Sequence, residues 1–281
     1  MKPSRREFFK LAGKGTVALS LATTLDGNLS HAKADGMKPQ KLILGMASYT
    51  FRKFSLEDTI NMTKRLGLQK IALKSYHLPM DSSVETIKKV AEQVKAANLD
   101  LYGGGVIYMK NEAEVEQAFN YAKTAGMKVI IGVPEHNLLE LVEQKVKVTD
   151  IKLAIHNHGP GDETYPGPKS AYEKIKNMDS RMGLCIDVGH TQRIGLDPAD
   201  EILKFKDRVH DIHIKDVTES TKNGSTVEIG RGVIDVPKIL KTLLKIQYQG
   251  VASFEFEKDE DDPLPGVAES LGYVRGVLDV I

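Results

Sequence analysis

His156, Asp187, His213 and Glu255 each sit at or next to the end of a short apolar run: Leu153-Ala154-Ile155-His156, Leu184-Cys185-Ile186-Asp187, Asp211-Ile212-His213-Ile214 and Ser253-Phe254-Glu255. Brought together, two imidazoles and two carboxylates can surround one divalent cation. Mixed nitrogen and oxygen donors suit Mn, Co, Zn, Ni or Fe better than Ca or Mg, and four protein ligands leave positions open for substrate oxygens. Other chemistry-bearing residues collect at similar places. His158 follows His156, His190 follows Asp187, and Lys215 follows His213. Lys74 ends another apolar run with His77 nearby, and Glu135-His136 follow a further one. Seven of the eight histidines lie at or close to such ends, a concentration that surface scatter does not produce. A lone histidine there is usually a hydrogen-bonded structural residue, and a lone Asp or Glu a helix cap. Four together, buried without a common partner, would be costly, so a shared metal or polyol is the better reading.

The elements that must position these residues are legible as alternating patterns. Short Ile/Val/Leu-rich runs over 41–47, 69–73, 100–106, 128–133, 152–156, 182–187, 209–214 and 251–256 have the continuous apolar character of buried parallel strands. Between them lie helical periodicities: 56–66 with Ser55 as N-cap and Gly67 at its end, 83–97, and 112–125 stopping at Gly126. Pro198 and Pro237 open two more, behind Asp197 and Asp235. Eight strand-then-helix units predict an α/β fold, a single closed (β/α)8 TIM barrel. A doubly wound dinucleotide-binding sheet would place a Gly-rich turn after the first strand; Met46-Ala47-Ser48-Tyr49-Thr50-Phe51 stands there instead. The long connection over 217–233, with Asn223-Gly224 and Gly230-Arg231-Gly232, reads as an active-site loop.

The first 34 residues are set apart. Ser4-Arg5-Arg6-Glu7-Phe8-Phe9-Lys10, a modestly apolar stretch to Leu25 and Ala32-Lys33-Ala34 follow the order of an export signal, and the paired arginines resemble a twin-arginine (Tat) address. Cleavage is expected after Ala34, leaving residues 35–281 as the barrel. The apolar stretch is too short and polar to serve as a stable membrane anchor. Net charge is +1, with acidic and basic residues interspersed, which gives no electrostatic footprint for nucleic acid. The single cysteine, Cys185, lies in an apolar run and reads as a small hydrophobe.

The motifs Leu153-Ala154-Ile155-His156-Asn157-His158, Ile186-Asp187-Val188-Gly189-His190, Asp211-Ile212-His213-Ile214-Lys215-Asp216 and Ser253-Phe254-Glu255 resemble the xylose isomerase-like TIM barrels. That superfamily includes sugar epimerases, hydroxypyruvate isomerase, inosose dehydratase and a DNA-repair endonuclease. The resemblance implies metal ligands at Asp187, His213 and Glu255, substrate contact by His190, and a pocket lined by Lys215, Arg231 and the Tyr49-Thr50-Phe51 segment. It also implies a fourth ligand, usually Glu, at the end of the fifth strand, where this chain has His156.

The departure bears on the chemistry. In the epimerases of the superfamily two facing Glu residues remove and return a proton on opposite faces of the substrate. With His156 in place of one, one-sided proton removal gains over inversion. An exported enzyme meets unphosphorylated sugars, so the expected substrate is a keto-sugar or keto-glycoside. The favoured reaction is elimination of the aglycone from a 3-keto-glycoside; isomerisation or epimerisation, and non-catalytic periplasmic sugar binding, are the alternatives. Candidate general bases are Glu255, His156, His158, Glu135 and Lys215.

Overall fold

A computed structural model describes residues 42–281. The expected leader and its cleavage point, and the first residue of the strand expected over 41–47, lie outside the described residues. Eight parallel strands close into a barrel: β1 (Ile43–Ala47), β2 (Lys70–Leu73), β3 (Asp100–Met109), β4 (Val129–Pro134), β5 (Lys152–His156), β6 (Met182–Asp187), β7 (Val209–Ile214) and, beyond an antiparallel insert of β8 (Asp216–Val217) and β9 (Thr226–Val227), β10 (Val251–Phe254). Barrel neighbours follow chain order, and β1 pairs with β10 to close the ring. This is the expected (β/α)8 architecture, with small shifts at several strand boundaries and two that bear on the site. β3 runs to Met109 rather than residue 106, and β10 ends at Phe254, so Glu255 stands just past a strand end.

Helices cover the outside: α1 (Leu56–Arg65), α2 (Val84–Ala96), α3 (Glu112–Ala125), α4 (Leu139–Thr149), α5 (Pro168–Ile175), α6 (Val188–Arg193), α7 (Pro198–Lys204), α8 (Val236–Lys245) and α9 (Leu264–Leu278). Their starts are set by side chains that accept otherwise unpaired backbone N–H groups: Ser55 from Asp58, Ser83 from Thr86, Asp197 from Ala199 and Asp200, and Asp235 from Lys238. Each such cap contributes about 1 kcal/mol. Gly126 closes α3 in the left-handed conformation, φ +74°, which glycine adopts without strain. On the opposite face of each helix, residues such as Val115, Phe119 and Ala122 of α3 pack on the barrel wall.

The connection over 217–233, expected as an active-site loop, is held in place by hydrogen bonds from backbone N–H groups. Asp216 ties it down: Oδ1 accepts from the backbone N–H of Val217 and Ile234, and Oδ2 from those of Gly230 and Gly232. A Cβ on Gly232 would lie 2.2 Å from Asp216 Oδ1, so the second glycine of Gly230-Arg231-Gly232 is there for close approach.

His210 is the histidine at the wrong end of its strand for chemistry. It lies near the start of β7, its Nε2 donating to Ser180 O at 2.9 Å and its ring wedged against Gly183. Burial, with the nearby Lys152 charge, pushes its pKa down from 6.5 to about 4. The unfolded chain binds this proton at about pH 6.5 and the native protein only near pH 4. The stabilising contribution is therefore complete above pH 6.5 and is lost as pH falls toward 4. With the ring partly exposed, we expect a loss of roughly 2 kcal/mol. Denaturant unfolding at pH 7 and pH 4.5 tests this: the pH dependence should flatten by about that amount in His210→Gln, and an unchanged dependence would assign the acid sensitivity elsewhere.

Candidate active site

Parallel register brings four strand ends to one mouth of the barrel. Asp187 on β6 pairs directly with His213 on β7, and His156 on β5 pairs with Cys185 on β6. Inward-facing residues recur every second position along a strand, so Asp211, His213 and Lys215 share a face, as do Ser253, Glu255 and Glu257.

Donor atoms of His156, Asp187, His213 and Glu255 all lie within 4.8 Å of one another, and all four residues are buried. His156 Nε2 stands 3.1 Å from His213 Nδ1 and 3.5 Å from Asp187 Oδ2. His213 Nδ1 lies 3.1 Å from Glu255 Oε2 and 4.0 Å from Asp187 Oδ2. Four donors around an ion at roughly 2.0–2.1 Å are separated by about 3.4 Å in a tetrahedron, so these spacings fit a shared cation. One further observation agrees with that fit: the buried Asp187 Oδ2 has no aligned hydrogen-bond donor.

Asp187 divides its two oxygens. Oδ1 accepts from the backbone N–H of His190 at 2.8 Å and caps α6, while Oδ2 turns into the cluster. Asn157 supports it, its Oδ1 accepting from Asp187 N and its Nδ2 donating to Thr191.

Lys215 is the counter-charge. Its buried ammonium lies 2.9 Å from Asp187 Oδ2 and 2.8 Å from Glu255 Oε2, and it also contacts Glu257. Burial alone would lower its pKa; the Asp187, Glu255 and Glu257 carboxylates outweigh burial and hold it well above the usual lysine range. Burial alone would raise Asp187 and Glu255. The His190 and Lys215 charges for the first, and those of His213 and Lys215 for the second, instead hold both well below the usual carboxylate range. Burial pushes His156 down to about 3, so its ring is neutral near pH 7. For His213 burial is outweighed by the Glu255 carboxylate, and its pKa rises.

Above the cluster is a cavity of about 270 Å³ lined by Tyr49, Lys74, Tyr76, Val106, Tyr108, His156, His158, His190, Glu255 and Glu257. Tyr49, Lys74, His158 and His190 are thus brought to the site that sequence reasoning assigned them. His158 is held between Tyr108, whose hydroxyl lies 3.0 Å from Nε2, and Asp162, 3.4 Å from Nδ1.

Thr50 and Phe51, expected to line the pocket with Tyr49, are buried away from the cavity, and three further residues are not brought there. Arg231 is exposed and forms a bidentate ion pair with Glu269, at 2.5 and 2.7 Å, because Asp216 fixes the loop away from the cavity. His77 is buried and fully engaged by Ser48, Thr59 and the Phe51 carbonyl; it braces the segment after β1. Glu135 is exposed and absent from the cavity lining. Sequence reasoning also passed over Glu257, Tyr76, Tyr108 and Asp162. Glu257 carried a readable signal, since it continues the alternation from Glu255. Tyr108 is reached because β3 extends beyond its expected end.

Comparison with known proteins agrees with this architecture. Inosose dehydratase from Lacticaseibacillus casei is 25% identical over 139 residues, covering 43% of this chain and 45% of that protein; the chain spans less than half the length of such curated relatives. Among solved structures, an uncharacterised protein from Parabacteroides distasonis superimposes with a TM-score of 0.66 at 23% identity, over 84% of this chain and 98% of that one. The 3-keto-D-glucoside 4-epimerase of E. coli superimposes with a TM-score of 0.67 at 14% identity, over 84% and 100%. Both structural likenesses concern the fold. A family model, xylose isomerase-like TIM barrel, matches residues 51–277, from the turn after β1 into the last helix. With nearly every barrel unit inside that match, the chain belongs to the xylose isomerase-like TIM barrel family.

Proposed function

We propose that this protein is a divalent-metal-dependent enzyme that removes the proton next to the carbonyl of an unphosphorylated keto-sugar, and that its reaction is elimination of the aglycone from a 3-keto-glycoside. The observation that carries this reading is the asymmetry of the cavity. Its lining holds two carboxylates, Glu255 and Glu257, which follow β10, and three imidazoles, His156 and His158 at the end of β5 and His190 on α6. Two-sided inversion calls for matched bases facing each other, whereas elimination needs one.

A cation held by His156, Asp187, His213 and Glu255 supplies Lewis-acid polarisation of the substrate carbonyl. Glu255, kept ionised by His213 and Lys215, takes the proton from C2. The C2–H electron pair becomes the C1=C2 bond, and the C1–O pair leaves with the aglycone oxygen, which is protonated by water. His158 and His190 are placed to hydrogen-bond the sugar hydroxyls. A second base reading rests on His158, which lines the cavity with Asp162 behind it. The lining supports an unphosphorylated substrate: its one ammonium, Lys74, already donates to the Val106 carbonyl at 2.7 Å, and the two carboxylates would repel a phosphate dianion. The export signal expected in residues 1–34 is consistent with an enzyme that acts outside the cytoplasm, where free glycosides are met.

Metal analysis of the purified protein, followed by incubation with methyl 3-keto-glucoside in heavy water, tests the proposal. We expect near-stoichiometric divalent metal, deuterium exchange at C2 and release of methanol, all lost with chelator and restored by adding metal back. Absence of both exchange and methanol release in the metal-loaded protein would sink it. A C2 or C4 epimer as product, without methanol, would turn the reading to epimerisation.

A further inference from the structure

A second cavity, of about 390 Å³, opens beside the first between the exits of β2 and β3 and shares Lys74, Val106 and Tyr108 with it. The first cavity alone falls just under the roughly 300–1,000 Å³ of small-molecule sites; the two together fall well inside that range. The larger one is walled by Leu73, Leu78, Met80, Val106, Ile107 and Tyr121. Most polar groups at its edge are spent on the protein itself; the exposed Ser75 hydroxyl and Lys110 ammonium stand at its rim. Gln117 Nε2 donates to Met80 O, Tyr121 Oη to Leu78 O, and Lys74 Nζ to Val106 O. Both Glu114 oxygens accept from the Lys110–Asn111 segment. A second sugar ring entering here would strip water from its hydroxyls and find few partners, whereas an alkyl or aryl group would gain from burial.

We propose that this cavity is the leaving-group subsite of the enzyme, and that it selects an apolar alkyl or aryl aglycone over a second sugar. The inference rests on the elimination reading for its chemistry, but its binding consequence can be measured without turnover. Hexyl, methyl and glucosyl β-glucosides, unoxidised and so unreactive, serve as binding probes for the metal-loaded protein. The matching 3-keto-glycosides serve for turnover, and hexanol and methanol are similar enough as leaving groups to isolate the subsite. Hexyl glucoside should bind at least tenfold more tightly than methyl, and the glucosyl probe no more tightly than methyl. Met80→Trp, which fills the cavity from a half-buried position, should abolish the hexyl advantage, bringing the hexyl-to-methyl affinity ratio to about one. Ser75→Trp at the exposed rim is a second variant, should Met80→Trp unfold. Equal binding of hexyl and methyl probes, preferred glucosyl binding, or proportional loss for both alkyl probes in the variants would each overturn the subsite. A hexyl preference without release of alcohol from any 3-keto-glycoside would uphold the subsite and discard elimination.

Discussion

Glu255→Gln should lower C2 proton exchange by at least 10³-fold, the largest single loss expected from the cavity. A positioned general base contributes about 10²–10⁴-fold, and this substitution also withdraws an anionic oxygen from the cation-binding group. Glutamine keeps the shape of the side chain but puts an amide where Glu255 Oε2 meets His213 Nδ1 at 3.1 Å and Lys215 Nζ at 2.8 Å. Metal content should therefore fall together with activity. His158→Gln is the informative companion. His158 touches Tyr108 and Asp162 but none of the cation-binding oxygens, so its loss should leave metal content intact. If Glu255 is the base, His158→Gln should lower activity tenfold or less. Should Glu255→Gln, reloaded with metal, keep more than a tenth of parental exchange while His158→Gln loses 10²-fold or more, the base is His158.

The second large effect is on stability. Lys215→Met should destabilise the metal-free protein by about 3–5 kcal/mol, the usual result of leaving a buried charge without its partner. Two buried carboxylates, Asp187 and Glu255, lose the ammonium between them. For a domain of this size that corresponds to a fall in Tm of roughly 6–20 °C. The pH dependence has a definite sign. In the parent both carboxyls are held well below their usual range, so their contribution is present above about pH 4 and fades below it. In the variant burial is no longer opposed by Lys215, the two carboxyls titrate at higher pH, and protonation relieves the unpaired charge. The stability gap between parent and variant should narrow on acidification. A divalent cation should restore much of the loss near neutral pH, since it brings positive charge to the same oxygens. A variant within 2 °C of the parent in chelator would show that Lys215 does not balance this site.

These effects trace back to residues that periodicity could locate. The strands ending in His156 and Asp187 match their expected limits to the residue, because buried parallel strands are written as continuous apolar runs with abrupt polar ends. The Ser55 cap and the helix starts marked by Pro198 and Pro237 were legible for a similar reason, since each is set by residues within one turn of the helix start. Loop direction is not local. Arg231 stands in a stretch whose course is decided by Asp216, fifteen positions earlier, and by Glu269 on α9. His77 follows a strand end by four positions and His158 by two, yet Ser48 and Thr59, distant in sequence from His77, consume both its nitrogens. Residue type predicted what these side chains could do; only the packing of non-neighbouring segments decided which were free to do it. Cys185 is the converse case: its apolar setting predicted a buried, unreactive thiol, and it is buried.

The division of labour within Asp187 limits which residues that position can accept. One oxygen secures the first turn of α6 and the other enters the charged cluster, so the side chain works as a bracket of fixed length between scaffold and chemistry. Glutamate carries the same charge but is one methylene longer, and it could not meet both partners without moving one of them. Asparagine could keep the cap, yet would turn an N–H toward the Lys215 ammonium. The bracket also works in reverse: a contact that tilts α6 by a fraction of an ångström re-aims a carboxylate at the floor of the cavity, so the outer surface of the barrel beside that helix is mechanically connected to the chemistry inside.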